Sequence, residues 1–411
     1  MTAPPISRSL NPFRTLAKYR NFRLFWLGQT ISLIGSWMQT VAVGWKALEL
    51  TNDAFMVGLV SAASTFPILI LSLPGGVVAD RNEKLRVVRI AQALMLAEAA
   101  ALWALSSTGH LTIHWLLTLS LFGGVLAAFE IPARQSLIVE LVGKDDLRQA
   151  IGLNSTGFNL ARVLGPGIAA VVIARAGVSW TFALNALSYL AVLVGLTMIR
   201  LPERRAVSRQ TGGSLAGMRE ALHHVRDTPP LPMLLVIATV YSVLGVPVIT
   251  LLPVVARDLL GVGADGYGAL MACLGLGAVA GALGIAATGG GAERGKVFRA
   301  ASFGFPVLLI AFSFVRHPVV AGVMLFGVGV TMILNNALVN ARLQELVPDA
   351  LRGRVLSLYV MVYVGGSPVG SFVGGWVARA AGVEWAIGGG AVLMLLFAVW
   401  VFRRHPLLSA H

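Results

Sequence analysis

Residues 54–86 read AFMVGLVSAASTFPILILSLPGGVVADRNEKLR. From Ala54 to Ala79 the run holds no charged side chain, and it then breaks into Asp80, Arg81, Glu83, Lys84 and Arg86. A helix crosses the ~30 Å hydrocarbon core of a bilayer with about 20 apolar residues. The stretch therefore reads as a membrane span that returns to water at a basic loop. The rest of the chain repeats this pattern. Of its 411 residues, 56% are hydrophobic and 12% charged, with a mean hydropathy of +0.79. A soluble domain carries about 25% charged residues. Too few charges remain to coat a water-facing surface, which disfavours a soluble enzyme. The single Cys273, inside the apolar run GALMACLGLG, leaves no disulfide framework and no cysteine metal site.

Breaks at Pro, Gly and charged residues divide the chain into twelve expected spans. In the first half they fall at 22–47, 54–79, 87–107, 113–138, 149–174 and 179–200. In the second they fall at 231–255, 266–288, 297–315, 319–341, 354–379 and 383–402. The first follows a basic polar leader and is too long for the apolar core of a cleaved signal. The net charge of +14 does not point to nucleic acid, because the bases are scattered between apolar runs and form no aromatic-lined face. They sort by side instead. With a cytoplasmic N-terminus, 26 Lys and Arg fall on inner segments. Only Arg175, Arg257, Arg316 and Arg379 lie on outer connections. This asymmetry predicts that both termini are cytoplasmic.

The longest hydrophilic stretch, 201–230, lies at the midpoint. Within it SLAGMREALHHVRDT places Leu215, Met218 and Leu222 at helical spacing. We read it as a linker with a short amphipathic helix between a bundle at 1–200 and a second at 231–411. The adjacent His223 and His224 diverge on such a helix and do not suggest a metal site. The halves are related. Glu140-Leu141-Val142 recurs as Glu345-Leu346-Val347, and Ala176-Gly177-Val178-x-Trp180 recurs as Ala381-Gly382-Val383-x-Trp385, both offset by 205. Parallel six-span repeats around a central site are a transporter architecture.

These features, with the following motifs, resemble the major facilitator superfamily. The loop Gly76-Val77-Val78-Ala79-Asp80-Arg81-Asn82-Glu83-Lys84-Leu85-Arg86 is similar to its signature loop, with Glu83 where a glycine is usual and Asn82 available for a left-handed turn. Asn159-Leu160-Ala161-Arg162-Val163-Leu164-Gly165-Pro166 resembles the Gly-Pro helix-bend motif, with Pro368 as its second-half counterpart. Glu130-Ile131-Pro132-Ala133-Arg134-Gln135 and Leu351-Arg352-Gly353-Arg354 resemble the bacterial exporters of enterobactin-type siderophores and macrolides. The resemblance implies an all-α membrane protein of two six-helix bundles, not an enzyme, that exports small molecules. It also implies a gate in which Asp80 meets the start of span 11 near Gly353–Leu358.

The residues offer their own candidates. Gly76 would allow close helix approach, and Arg81, Lys84 and Arg86 could pair with Glu140. Glu98 and Arg162 fall mid-span, and Glu130 and Arg134 are spaced for a helical ion pair. A charge at the bilayer centre costs at least about 2.5–3.5 kcal/mol, so these four are expected to face a cavity or a partner. Gln29, Ser32, Ser36 and Gln39 share one helix face in span 1 and are candidate cavity-lining groups. Asn154, Asn159, Asn335 and Asn336 are further candidates. The 205 offset maps Glu130 onto Asn335, which leaves proton-coupling carboxylates only in the first half.

The expected protein is a transporter of the inner (cytoplasmic) membrane. It would export a hydrophobic or amphiphilic molecule, such as a drug or siderophore, driven by the proton gradient. Its partners would be the bilayer and the substrate, without nucleic acid, metal or cofactor, and it would act as a monomer. No G-x-x-x-x-G-K-[ST] loop is present for an ATP pump. Two other readings remain: uncoupled or lysophospholipid-type transport, and a non-transporting receptor with the same fold.

Overall fold

The computed structural model describes residues 13–143, 145–199, 215–287 and 292–405. A short α1 (Phe13–Lys18) leads into α2 (Arg20–Thr51), α3 (Ala54–Arg81), α4 (Lys84–Ser107), α5 (Ile113–Val142), α6 (Leu147–Ala176) and α7 (Ser179–Thr197). The linker helix α8 (Leu215–Asp227) precedes α9 (Leu231–Leu259), α10 (Ala264–Ala287), α11 (Ala292–Ser313), α12 (Pro318–Leu346), α13 (Asp349–Ala381) and α14 (Trp385–Arg404). Residues 201–214 of the expected linker lie outside the described residues.

Among the described residues, eleven helices are long and apolar enough to cross a membrane. The first expected span forms the 32-residue α2 and is long enough. Its polar stripe makes it less apolar than the others, so the twelve-span count is not reached by composition. α9 is interrupted near Pro247 and Pro253 and ends in a π-helical turn, Val255–Leu259.

The sequence repeat marks corresponding corners. Gly177 ends α6 with φ 89° and Gly382 ends α13 with φ 103°, a backbone that glycine adopts without steric cost. Glu140, near the end of α5, pairs with Lys84 at 3.2 Å, and Glu345, near the end of α12, pairs with Arg294 at 3.2 Å. Each acid thus ties its helix to the base following the second span of its own half. Beside the first of these ties, Lys18 bonds Asp146 at 2.5 Å and the Tyr19 hydroxyl bonds it at 2.8 Å. Lys18 foremost, then Tyr19, holds the Asp146 carboxyl below its ordinary range, so this tie persists throughout neutral pH.

The halves meet along α3 with α13 and α6 with α10. At the end remote from the basic loops the contact is tight. Gly58 and Gly375 are so close that a Cβ on Gly375 would sit 3.0 Å from the Gly58 Cα. Phe55 and Phe372 meet edge to face at 5.3 Å, and Asp53 lies 3.5 Å from Arg379. Trp45 stacks on Tyr267 at 6.3 Å. Just inside, the hydroxyls of Ser61, Thr250 and Ser371 cluster at 2.8–3.3 Å.

At the basic end this contact is lost. Among the described residues, Gly76 and Gly353 have no neighbour against which a Cβ would pack, and Asp80 is exposed. The halves are closed at one end and parted at the other. In a Cys273→Ala background, Ser61→Cys with Ser371→Cys should cross-link readily under mild oxidation, while Asp80→Cys with Ser357→Cys should not. Mobility shifts on non-reducing gels read the result, and the reverse pattern would refute this closure.

Candidate functional site

A cavity of about 370 Å³ opens within the first half. The polar stripe of α2 forms one wall, because spacings of three, four and three keep Gln29, Ser32, Ser36 and Gln39 on one face. Glu98 of α4 and Glu130 and Arg134 of α5 also line it. Among the described residues of the second half, only Ile249 and Thr250 of α9 and Tyr267 of α10 reach it.

The two acids are each 4% exposed, yet their surroundings differ. Glu130 accepts from Arg134 Nε, 3.0 Å from Oε1 and 3.2 Å from Oε2, one helical turn away. Gln92 Nε2 adds a bond of 3.3 Å. Glu130 is thus half of a buried ion pair. Glu98 has no cation beside it among the described residues. Gln39 Nε2 donates to both carboxylate oxygens at 3.1 Å, and Gln39 Oε1 accepts from Asn185 Nδ2 at 2.7 Å. Ser188 Oγ bonds Asn185 Oδ1 at 3.1 Å, and Tyr189 meets Ser36 at 3.1 Å. Glu98 therefore heads a chain of neutral hydrogen bonds running from α4 through α2 to α7.

Asn185, Tyr189 and Gln92 escaped the sequence reading. A signal was present, since Asn185, Ser188 and Tyr189 share one face of α7. The Gln92 Oε1 atom is buried without a hydrogen-bond partner.

The remaining candidates lie elsewhere. Arg162 lies outside this cavity, its guanidinium carbon 5.8 Å from the Trp37 ring centroid. Asn159 bonds its own backbone at Ser155 O, 2.9 Å, and Asn154 is half-buried on the same helix. The symmetry mate of Glu130 does not line the cavity: Asn335 is buried against Ser302 Oγ at 2.8 Å inside the second half. Asn336 receives the Tyr359 hydroxyl on its backbone oxygen at 3.1 Å. Polarity read as cavity lining is here used to join helices.

The loop motif is also rearranged. Asp80 does not meet the start of α13, since the halves have parted there. Arg354 of that start instead bonds Glu220 of α8 at 2.6 Å. Of the three bases, Lys84 holds Glu140, while Arg81 and Arg86 are exposed. Gly75, not Gly76, makes the close helix approach, against Ala128 of α5. Asn82 has φ −116°, so the turn uses no left-handed residue and tolerates Glu83. Gly165 packs on Trp37 and Ile34 of α2, and Pro166 and Pro368 are buried within continuous helices. His223 bonds Asp227 at 2.7 Å, and no acidic, His or Cys cluster fit for a metal occurs among the described residues.

A helical membrane bundle with parallel halves, closed at one end around a polar cavity, defines a transporter of the major facilitator class. The chain belongs to the family described as Transmembrane secretion effector, which matches residues 7–409. It is 25% identical to the enterobactin exporter EntS of Shigella flexneri over 94% of each chain. It is 27% identical to the multidrug efflux pump Tap of Mycolicibacterium fortuitum over 89% of this chain and 91% of that one. The staphyloferrin A transporter of Staphylococcus aureus is 30% identical over 43% of this chain and 45% of its own length. The fold is similar to that of a bacterial homolog of the human lysosomal transporter Spinster in an inward-facing, unoccupied conformation. That likeness has a TM-score of 0.73, at 16% identity over 98% of each chain. These relatives and neighbours are transporters.

Removing one partner of a buried ion pair leaves an uncompensated charge and costs about 3–5 kcal/mol. Arg134→Met should lower thermal stability in detergent by that order, and adding Glu130→Gln should restore most of it. A loss in the double variant equal to the sum of the two single losses would show that the two side chains act independently.

Proposed function

We propose that this chain is a proton-coupled exporter of amphiphilic small molecules in the inner membrane, with both termini and the basic end cytoplasmic. The observation that carries the coupling is the difference between the two buried acids. Glu130 has its charge balanced by Arg134 at 3.0 Å. Glu98 has only the Gln39 amide, so the charge that balances it comes from whatever enters the cavity. A proton supplies that balance.

The charge asymmetry of the loops supports the orientation. In that orientation the parted end faces the cytoplasm, where cargo is taken up. Cargo binding and release of the Glu98 proton to the cytoplasm favour closure of the basic end, where Asp80 meets the start of α13. Protonation of Glu98 from outside then resets the molecule. The siderophore, macrolide and multidrug exporters among its relatives support the direction.

The test uses proteoliposomes carrying an imposed pH gradient and a panel that includes enterobactin and a macrolide. Glu98→Gln should reduce gradient-driven flux to the level of empty liposomes while exchange counterflow without a gradient continues. Glu130→Gln should retain gradient-driven flux in part. Wild-type flux that survives collapse of the gradient would overturn the coupling and favour uncoupled transport. Binding without any flux would favour a receptor.

A further inference from the structure

A second deep charge has no opposite partner among the described residues. Three other bases within the spans have partners. Lys46 bonds Glu49 at 2.9 Å, Arg134 bonds Glu130, and Arg89 donates to the carbonyl oxygens of Leu196 and Ile199 at 2.7 and 3.4 Å. Arg162, half-buried in the middle of α6, has only the face of Trp37. A guanidinium does not shed its charge by losing a proton. The balance that a proton gives Glu98 is therefore closed to Arg162, and only an anion or an electron-rich ring can supply it.

The surroundings of Arg162 are planar and belong to both halves. Phe158, one turn earlier on α6, meets Trp37 edge to face at 6.1 Å and is also part of the cavity lining. From the second half, Tyr363 of α13 lies within electrostatic reach of Arg162 and stacks on Tyr359 at 6.0 Å. The backbone of Arg162 itself packs against Gly275 of α10.

We propose that Arg162, Trp37 and Phe158, faced by Tyr363, form the cargo-anchoring site. They would take an organic anion: a carboxylate or comparable acid on a planar, unsaturated body. This rests on the reading of the chain as a transporter with Glu98 as its proton site. The acid takes the guanidinium fork and the planar body lies among the rings. Because the walls come from both halves, a bound anion bridges them, as a cargo that drives their rocking must.

The proton and the anion occupy different places. Gln39, which holds Glu98, and Trp37, which faces Arg162, are two residues apart on α2 and project to nearly opposite sides of it. Coupling then runs through α2 and not through direct competition for one group. A cationic cargo would meet repulsion at Arg162 and has no unpaired acid beside it there.

Three matched probes test this on the purified full chain: 1-hydroxy-2-naphthoate, its uncharged amide, and 1-naphthylmethylammonium. Binding is followed by tryptophan quenching and by thermal shift. The wild type should bind the naphthoate about tenfold or more tightly than the amide, with the ammonium weakest. Arg162→Gln should abolish this preference, and Arg162→Lys, which keeps the charge but not the fork, should retain part of it. If Arg162→Gln does not fold, Arg162→Lys and Tyr363→Phe carry the test, each with a reduced preference. Glu98→Gln should keep the naphthoate preference in full while losing gradient-driven flux. Equal affinity for the three probes, preference for the ammonium, or an unchanged preference in the Arg162 variants would overturn the proposal. A wild type that shows the naphthoate preference but carries no flux would count against the transport reading alone.

Discussion

The structure depends on what a low-dielectric interior demands of an ionised group. A charge buried away from water needs a counter-charge, hydrogen bonds or a proton. Every deep charge here answers that demand in its own way. Arg134 and Glu130 satisfy one another within a single helix turn. Arg89 reaches carbonyl oxygens near the end of α7. Glu98 is met by one amide and Arg162 by one indole face. The Glu130–Arg134 pair balances itself within α5, and Arg89 ties α4 to the end of α7, with its Nε buried without a hydrogen-bond partner. The last two have no opposite charge beside them among the described residues, and the roles proposed for Glu98 and Arg162 rest on that difference.

The same constraint explains why the cavity has the walls it has. A hydrogen-bond chain that holds a carboxylate without a cation needs several neutral polar residues close together. The chain Asn185–Gln39–Glu98 draws them from three helices. Gln39, with Gln29, Ser32 and Ser36, makes α2 the least apolar of the long helices, and this is tolerable only because its polar face is turned inward. At the far end the demand is for close packing, met by small residues and rings where α3 meets α13. At the basic end the exposed Asp80 and the Glu220–Arg354 pair lie in reach of water, where ion pairs exchange partners at small cost.

Much of this was legible in the sequence. Span positions follow from hydropathy, and the polar face of α2 from helical periodicity, because both are local properties of consecutive residues. The repeat gave true structural correspondences at Gly177 with Gly382 and at Glu140 with Glu345, since helix ends obey local backbone rules. It misled at Asn335. The offset preserves position along a helix but says nothing of which way a side chain turns, and Asn335 turns to Ser302. Asp80 is exposed at the parted basic end and does not meet the start of α13 among the described residues. The Glu130–Arg134 pair was legible in its spacing of four, whereas the partner of Glu98 was not, because Gln39, itself held by Asn185, reaches Glu98 from another helix.

The central claim is that Glu98, and not Glu130, exchanges a proton as the cavity changes access. Infrared difference spectra between acidic and neutral pH test it most directly, through the carbonyl stretch of a protonated carboxylic acid in the membrane-embedded protein. The account predicts a band in the wild type that disappears in Glu98→Gln and persists in Glu130→Gln. A band that survives Glu98→Gln and is lost only in Glu130→Gln would contradict it.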